Sequence, residues 1–242
     1  MRISLPSLGT AFLLMISQSW AAEPNTLTDL EKSDGWRLLF DGKSPAGWAA
    51  IGKSEFPQKG WSIRDGLLEH QKGGGGGDIV TTEKFENFEL TWEWKIGEAG
   101  NSGVKYNLVD PARNLGFEYQ LLDDAKHPDG IKGGTLRQTG ALYDLLSPAP
   151  DKKMSPVGQW NQSRLVVDGD RVEHWLNGAQ TVRFEIGSAD LQQAIARSKY
   201  KASPQFGVKK ASPILLQDHG DDVAFRNVKL RPIPSRQPRA AR

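Results

Sequence analysis

Two segments of the chain place charged and amide side chains on alternate positions of predicted β-strands. Glu118 and Gln120 share one face of segment 116–122, and Lys105 and Asn107 share one face of segment 103–108. Alternate residues of a strand point to the same side, so each pair emerges on one surface. A carboxylate can remove a proton, and an ammonium can stabilise a negative charge that develops on a substrate. The same residues can also form a simple ion pair, and the spacing leaves both interpretations open.

The histidines are the other candidates for proton transfer near neutral pH. His127 lies in a polar loop after the Glu118 segment, and His219 lies at the end of a short apolar segment, so we expect both to line a site. His174 alternates with apolar residues, which predicts a half-buried structural role. The sequence around His70 indicates neither a site nor a structural role for this residue.

Acidic residues around His127 raise the question of a metal. Glu118, Asp123, Asp124 and His127 can supply oxygen and nitrogen ligands for a divalent ion, either a structural calcium or a catalytic ion. No tight ligand spacing is present, and acidic loops are commonly only solvated. The sequence therefore leaves the cofactor open.

Composition narrows the class of protein. The chain has 31 basic and 29 acidic residues and a formal charge of +2, which gives no reason to propose nucleic acid or an anionic membrane as a partner. It contains no cysteine, so no disulfide stabilises it. Eight Trp, nine Phe and four Tyr can form the core of one domain.

The N-terminus reads as an export signal. Arg2 is followed by an apolar stretch, 8–16, that is too short to span a bilayer as a helix. We expect a signal peptide at 1–21 with cleavage after Ala21, and hence a periplasmic or secreted protein that is free of the membrane after cleavage. A membrane anchor left in place is the alternative. The expected organisation is then a lead-in at 22–35, one domain at 36–232 and a basic disordered tail at 233–242.

Short segments separated by Gly, Pro, Asn and Asp predict an all-β fold. In segment 88–96, strict alternation predicts one buried aromatic face and one polar face that carries Glu93. One peripheral helix is predicted at 187–198. Five successive glycines at 73–77 predict either a flexible connection or a mobile flap. The predicted strands are 36–40, 61–64, 67–70, 78–81, 88–96, 103–108, 116–122, 141–145, 162–168, 171–176, 214–217 and 223–231.

Blocks along nearly the whole chain, from about Trp36 to Pro232, resemble the 3-keto-disaccharide hydrolase family. Gly100-Asn101-Ser102-Gly103 resembles the start of one of its strands, and Glu118 begins the block that resembles its central strand. The complete set of blocks is 36–44 with 47–48, 85–90, 93–95, 100–106, 118–123, 140–144, 158–161, 172–178, 216–220 and 225–228.

The resemblance implies a concanavalin-like jelly-roll β-sandwich of two antiparallel sheets. It also implies cleavage of 3-keto-α-glucosides by 1,2-elimination, followed by hydration of the resulting 3-keto-2-hydroxyglucal. A ketone at C3 acidifies the proton at C2, so the site needs a base near C2, a positive group near the C3 oxygen and an acid near the leaving oxygen.

Under this interpretation, the candidate catalytic residues are Glu118, Lys105, His127 and His219. The candidate substrate-binding residues are Gln120, Glu93, Asn107, Tyr143, Asp144 and Trp48. The family fold would place Glu93 on the same polar surface as Lys105 and Glu118. The partner is a small-molecule sugar. The sequence establishes neither an upstream sugar 3-dehydrogenase nor the oligomeric state.

Two other classes of protein compete. A non-catalytic carbohydrate-binding module can share this fold, and aromatic residues such as Trp48, Trp61 and Tyr143 can stack on sugar rings. A sandwich glucanase is the other, but its usual Glu-x-Asp-x-x-Glu strand is absent from the sequence.

Overall fold

A computed structural model describes residues 23–234. Two antiparallel sheets pack face to face, and the described chain contains few helical residues. The protein is therefore the all-β jelly-roll sandwich that the sequence predicts. The strands are β1 Arg37–Leu38, β2 Trp48–Ala50, β3 Trp61–Arg64, β4 Leu67–His70, β5 Ile79–Thr81, β6 Phe88–Ile96, β7 Asn101–Asp110, β8 Leu115–Leu122, β9 Asn161–Asp168, β10 Arg171–Leu176, β11 Ala179–Glu185, β12 Leu215–Leu216 and β13 Val223–Pro232. The helices are α1 Asp29–Ser33, α2 Pro128–Gly133 and α3 Ala189–Arg197.

The two sheets differ in size. The large sheet has eight strands in the order β11-β10-β9-β6-β13-β4-β3, with β1 also paired to β13. The small sheet has five strands in the order β2-β5-β12-β7-β8. Within each sheet, neighbouring strands are antiparallel.

Strand β6 shows how the core is built. Its burial alternates along most of its length, with Trp92 and Trp94 buried and Thr91, Glu93 and Lys95 partly exposed. The aromatic side of β6 packs against the small sheet, where Trp92 meets Tyr119 of β8 edge to face at 5.0 Å between ring centres. Burial of such large rings is the main source of stability in a chain without disulfides.

The sequence prediction differs from the structure in several elements. Segment 141–145, predicted as a strand, is a tight turn in which Leu142 bridges both Tyr119 and Leu146 and Asp144 has a positive φ of 62°. Strands β2 and β11 and helices α1 and α2 were not predicted. The predicted helix is α3, and the Ser188 side chain caps its N-terminus.

The predicted lead-in is attached to the sandwich. The Asn25 backbone N–H donates to Asn227 Oδ1 at 2.6 Å, and the Asn227 N–H donates to Asn25 Oδ1 at 2.8 Å. Thr28 and Glu31 form a capping box at the start of α1. The predicted signal peptide and most of the predicted tail lie outside the described residues. Within 23–234, no helix has the length and apolar character needed to cross a membrane.

The five-glycine segment is hydrogen-bonded to its surroundings. The Gly73 N–H donates to Gly220 O at 2.9 Å, and the Gly77 N–H donates to Asp218 Oδ2 at 2.9 Å. A Cβ at Gly60 would lie 1.5 Å from Gly75 O, so this close approach requires glycine. The segment thus packs against residues 218–220, next to His219.

His174 is completely buried, more so than the alternation predicts. Its Nε2 accepts from the Tyr106 hydroxyl at 2.7 Å, and its Nδ1 lies 3.4 Å from Gly140 O, as expected for a neutral ring. Burial lowers the pKa of His174 to about 3. The buried ring is therefore neutral throughout the pH range in which an exposed histidine takes up a proton.

This shift predicts acid sensitivity. Below about pH 6.5 the unfolded ring binds a proton that the folded ring rejects until near pH 3, so stability is lost as the pH falls through this window. Urea titrations between about pH 6 and pH 4 should give a free energy of unfolding that falls more steeply for the wild type than for His174→Phe. The expected difference in slope is up to about 1.4 kcal/mol per pH unit. Equal slopes would contradict the neutral buried ring.

Candidate active site

Register in the small sheet brings Lys105 directly opposite Glu118. Residues Val104 and Tyr106 of β7 point into the core, so Lys105 points to the outer face of this sheet. Lys105 Nζ lies 3.1 Å from Glu118 Oε2, and the two side chains are only 8% and 4% exposed. A buried pair of this kind is costly to desolvate and gives little stability by itself. It places a carboxylate and a cation in contact on one surface.

Asp78 and Asn114 extend this charged centre. Lys105 Nζ also donates to Asn114 O at 3.3 Å, and Asn114 Nδ2 donates to Asp78 Oδ2. Burial raises the pKa of Asp78, and the Asp218 and Glu118 charges add to that rise, against the lowering effects of the Asp218 N–H and of Lys105. A second carboxyl, with a pKa above the ordinary value of an aspartate, therefore lies close to the Lys105–Glu118 pair.

Gly103 allows polar side chains to approach the strand closely. In the register it faces Gln120 on β8, and its carbonyl accepts the Gln217 N–H at 2.9 Å. A Cβ at Gly103 would lie 2.9 Å from Glu118 Oε1 and 3.3 Å from Gln217 Oε1. Among the described residues, Gln120 Oε1, Gln217 Oε1 and Asn114 Oδ1 are buried oxygens without a hydrogen-bond partner. Buried acceptors of this kind are usually satisfied by a ligand, water or a side-chain adjustment.

A methyl group at Gly103 should therefore displace Glu118. The φ of Gly103 is not in the left-handed region, so alanine fits the backbone and meets only the side chains. We expect Gly103→Ala to fold. It should lower the rate of the reaction expected from the sequence by tenfold or more, on the order of the loss seen when a catalytic group is misplaced by about 1 Å. Steady-state kinetics with a thermal unfolding control tests this. A wild-type rate would show that Glu118 does not need this position.

Tyr143 closes one side of the site. Its backbone N–H donates to Glu118 O at 3.0 Å, and its hydroxyl donates to Asp129 Oδ2 at 2.6 Å. Arg137 connects Asp129 and Asp144, at 2.6 and 2.9 Å. Burial would raise the pKa of Asp129, but the bonds from Tyr143 and Arg137 outweigh it and lower the pKa. The predicted residues Tyr143 and Asp144 are thus held near Glu118.

Lys199 brings a second cation to the same region. Its ammonium lies 4.2 Å from the centre of the Tyr143 ring, and its backbone N–H donates to Asp144 Oδ2 at 3.0 Å. Burial of the ammonium lowers the pKa of Lys199, although much of the residue is exposed. Glu118 and Lys105 are among the charges that act on it.

His127 and His219 meet at another edge of the site. Their ring centres are 5.9 Å apart, and ligand atoms of His127, His219 and Asp221 lie within 4.8 Å of one another. We call these three residues the histidine cluster. Burial lowers the pKa of His127, and the neighbouring His219 lowers it further. The Asn101 N–H donates to Asp221 Oδ2 at 3.1 Å, and Asn101 Oδ1 accepts from Gln120 Nε2 at 3.1 Å. Through Asn101, the cluster adjoins Gln120.

Three expected substrate-binding residues are placed elsewhere. Glu93 lies on the large sheet, where it binds Arg226 and Asn227, so its expected surface with Lys105 and Glu118 is wrong. Both polar atoms of the Asn107 amide are bonded to the backbone of loop 208–210. Trp48 is 4% exposed, and its indole N–H donates to Leu39 O at 2.6 Å, so it offers no face for sugar stacking.

The expected metal ligands also do not converge. The carboxylate of Asp123 accepts backbone N–H groups from Ala99, Ala125 and Lys126. The carboxylate of Asp124 binds the Thr139 N–H and Lys152. These two side chains stabilise loops, and Glu118 pairs with Lys105. Of the four candidates, only His127 belongs to the one metal-type group found within 23–234.

Several site residues were missed by the sequence analysis. Asp78 and Gln217 adjoin very short strands, where alternation is too brief to assign a face, and Asp221 lies in the loop before β13. Arg137 and Lys199 lie outside the strands and carry no local signal. Each is brought to the site by contacts distant in sequence.

Comparison with known proteins agrees with this architecture. A protein of Parabacteroides distasonis described as a glycosyl hydrolase has a solved structure with a TM-score of 0.79 and 35% identity, covering 88% of this chain and 100% of that one. A second protein of that organism with the same description has a TM-score of 0.63 and 26% identity, covering 82% and 99%. Fold and neighbours thus define the class as a carbohydrate-active β-sandwich hydrolase.

Sequence comparison then gives the family. Residues 35–231 match the 3-keto-alpha-glucoside-1,2-lyase-like domain, and the chain belongs to this family. A protein of Bacteroides thetaiotaomicron named 3-keto-disaccharide hydrolase is 34% identical over 242 residues, covering 87% of this chain and 83% of that protein. The resemblance noted in the sequence is therefore confirmed, and these findings support a carbohydrate hydrolase.

Proposed function

We propose that this protein cleaves 3-keto-glucosides by eliminating the group at C1 and then hydrating the unsaturated sugar. The observation that carries the proposal is the buried contact between Lys105 and Glu118 on the outer face of the small sheet. Proton removal next to a ketone needs a base and a positive charge side by side. The family and the named relative support the same type of substrate.

Glu118 takes the role of base. Lys105 holds Glu118 Oε2, while Glu118 Oε1 lies over Gly103 and has no hydrogen-bond partner among the described residues. This oxygen accepts the proton from C2, and the electrons of that C–H bond form an enolate at C3. The Lys105 ammonium stabilises the enolate oxygen. Because both side chains are buried, this stabilisation is stronger than it would be in water.

The second step expels the group at C1. The enolate re-forms the C3 ketone, a C1–C2 double bond forms and the C1–O bond breaks, with a proton supplied to the leaving oxygen from the histidine cluster. Water then adds at C1 and gives its proton back to that cluster, while Glu118 returns a proton to C2. The net reaction is hydrolysis of the glycosidic bond by one water molecule. Glu118 and the histidine cluster both return to their starting protonation states.

A binding module without chemistry is the second candidate. Its case depends on exposed aromatic side chains, but Trp48 and Trp61 are each 4% exposed and donate their indole N–H groups to backbone oxygens. A groove of about 420 Å³ on the outer face of the large sheet includes Arg64, Glu69 and Lys95 and none of the predicted catalytic residues. The polar site on the small sheet favours the enzyme.

The proposed substrate places the protein after an oxidation. A 3-keto-glucoside is made from an ordinary glucoside by a sugar 3-dehydrogenase, so we propose that such an activity acts upstream. We also propose that the protein works after export, as its N-terminal sequence predicts.

The experiment that tests this function uses purified protein and 3-keto-trehalose or 3-keto-sucrose. Mass spectrometry should show loss of the keto-disaccharide and formation of 3-keto-glucose, with 3-keto-2-hydroxyglucal as a transient species. The unoxidised disaccharides are the control and should persist. Cleavage of the controls at a similar rate, or no loss of either keto-disaccharide, would contradict the proposal.

A further inference from the structure

The structure places two imidazoles and one carboxylate of the histidine cluster together, with unused coordinating atoms. We propose that His127, His219 and Asp221 form a binding site for one divalent transition-metal ion, such as zinc or cobalt. His219 and Asp221 come from loop 218–222, and His127 lies much earlier in the chain, immediately before α2.

Each residue of the cluster has a possible ligand atom that makes no hydrogen bond within residues 23–234. Within 23–234, the His219 ring contacts His127 but accepts and donates no hydrogen bond. The Asp221 carboxylate uses Oδ2 for the Asn101 N–H, while Oδ1 lies 3.8 Å from Lys72 Nζ, beyond ordinary hydrogen-bond distance. The His127 ring uses Nδ1 and leaves Nε2 without a partner. One ligand atom from each residue lies within 4.8 Å of the others, so a single ion can reach all three side chains.

The donor set selects the class of ion. Imidazole nitrogens suit zinc, cobalt, iron and nickel, and two histidines with one carboxylate leave further positions open for water or a ligand. Calcium prefers six to eight oxygen ligands, which this group does not offer. The site shares only His127 with the four ligand candidates of the sequence analysis, and its donors suit a transition-metal ion better than calcium.

Metal binding must exchange one hydrogen bond. The Asp129 N–H donates to His127 Nδ1 at 3.1 Å, so in the neutral ring Nε2 carries the proton. Ligation through Nε2 moves that proton to Nδ1, and the ring then has to turn away from the Asp129 N–H. Loss of one such bond lowers affinity by roughly tenfold. Loss of this bond can also be followed by NMR, because the Asp129 amide loses its hydrogen bond to His127 Nδ1 when the metal binds.

The site adjoins the proposed reaction centre through Asn101 and Gln120. An ion at the cluster would lower the pKa of a bound water, which would then be the proton source for the leaving oxygen. Metal binding itself does not depend on the proposed reaction and is measured without a keto-sugar.

The test uses untagged protein freed of metal by chelation and titrated by calorimetry with zinc, cobalt and calcium chloride. We expect one zinc or cobalt ion per chain and no calcium binding. His219→Ala and Asp221→Asn should each weaken zinc binding on the order of 100-fold, at the upper end of losses known for groups that merely support a metal ligand. Asp222→Asn, which changes the next carboxylate in the chain, is the control and should bind zinc normally.

Amide NMR with zinc provides the second measurement, since the Asp129 signal should shift on binding. No zinc or cobalt binding by the folded wild type, or equal zinc affinity in wild type, His219→Ala and Asp221→Asn, would overturn the site. Thermal unfolding confirms that both variants are folded. Zinc binding without turnover of 3-keto-trehalose would refute the proposed function and leave the metal site intact.

Discussion

Glu118→Gln is expected to lower the rate of 3-keto-disaccharide cleavage on the order of 100-fold or more, the usual scale for a positioned acid or base. Glutamine keeps the shape of the side chain and can still accept a hydrogen bond from Lys105, so the position is filled. It cannot take the proton from C2. The loss should therefore appear in kcat more than in KM, measured by steady-state kinetics on 3-keto-trehalose.

Glu93→Gln is the matched control for that variant. Glu93 is also a strand carboxylate and was expected in the same site, but it lies on the large sheet with Arg226 and Asn227. Its replacement should leave kcat/KM within about twofold, as for a surface change away from the reacting groups. If Glu93→Gln and Glu118→Gln lose activity equally, the reacting carboxylate has been placed on the wrong sheet.

Lys105→Met is expected to slow the reaction by roughly 100- to 1000-fold, as when one group that stabilises a developing oxyanion is removed. The change also leaves Glu118, only 4% exposed, without its cation. Removing one partner of a buried pair costs about 3–5 kcal/mol of stability. The same variant should therefore lose both activity and stability.

The double variant Lys105→Met with Glu118→Gln separates these two losses. Without the Glu118 carboxylate, the charge that Lys105 contacted directly is gone, and Asp78 keeps its hydrogen bonds from Asn114 and from the Asp218 N–H. Denaturant unfolding should therefore show most of the lost stability restored while activity stays absent. Activity that returns together with stability would show that Lys105 only supports the fold. A wild-type rate in folded Lys105→Met would remove it from the site altogether.

The alternation of apolar and polar residues was sufficient to predict the bounds of strand β6. In a strand with one buried face, this pattern repeats every two residues. The three-residue strand β2 is too short for such a pattern. Segment 141–145 is apolar because it is buried, yet its backbone turns at Asp144. Burial and extended backbone are separate properties, and apolar residues report only the first.

The alternation of side chains along a strand explains why the contact between Lys105 and Glu118 could be anticipated and why Glu93 was placed on the wrong sheet. It places Lys105 and Glu118 on the outer side of their strands, and their pairing then depends on register within one sheet. The same alternation also places Glu93 on an outer face, but it does not say of which sheet. His127 and His219 were expected near the site because each follows a strand. Asp221 and Lys199 depend on loop packing, which the sequence does not encode locally.

Deuterium incorporation at C2 is the most direct measurement of the central claim, that cleavage proceeds by elimination. When 3-keto-trehalose is turned over in heavy water, the C2 proton leaves for Glu118 and exchanges there with solvent before hydration. Glu118 then returns a deuteron to C2. NMR and mass spectrometry of the freshly formed 3-keto-glucose should show one deuterium at C2, above the exchange in an enzyme-free control. Product that forms at the full rate and retains its C2 proton would show direct displacement at C1 and contradict elimination.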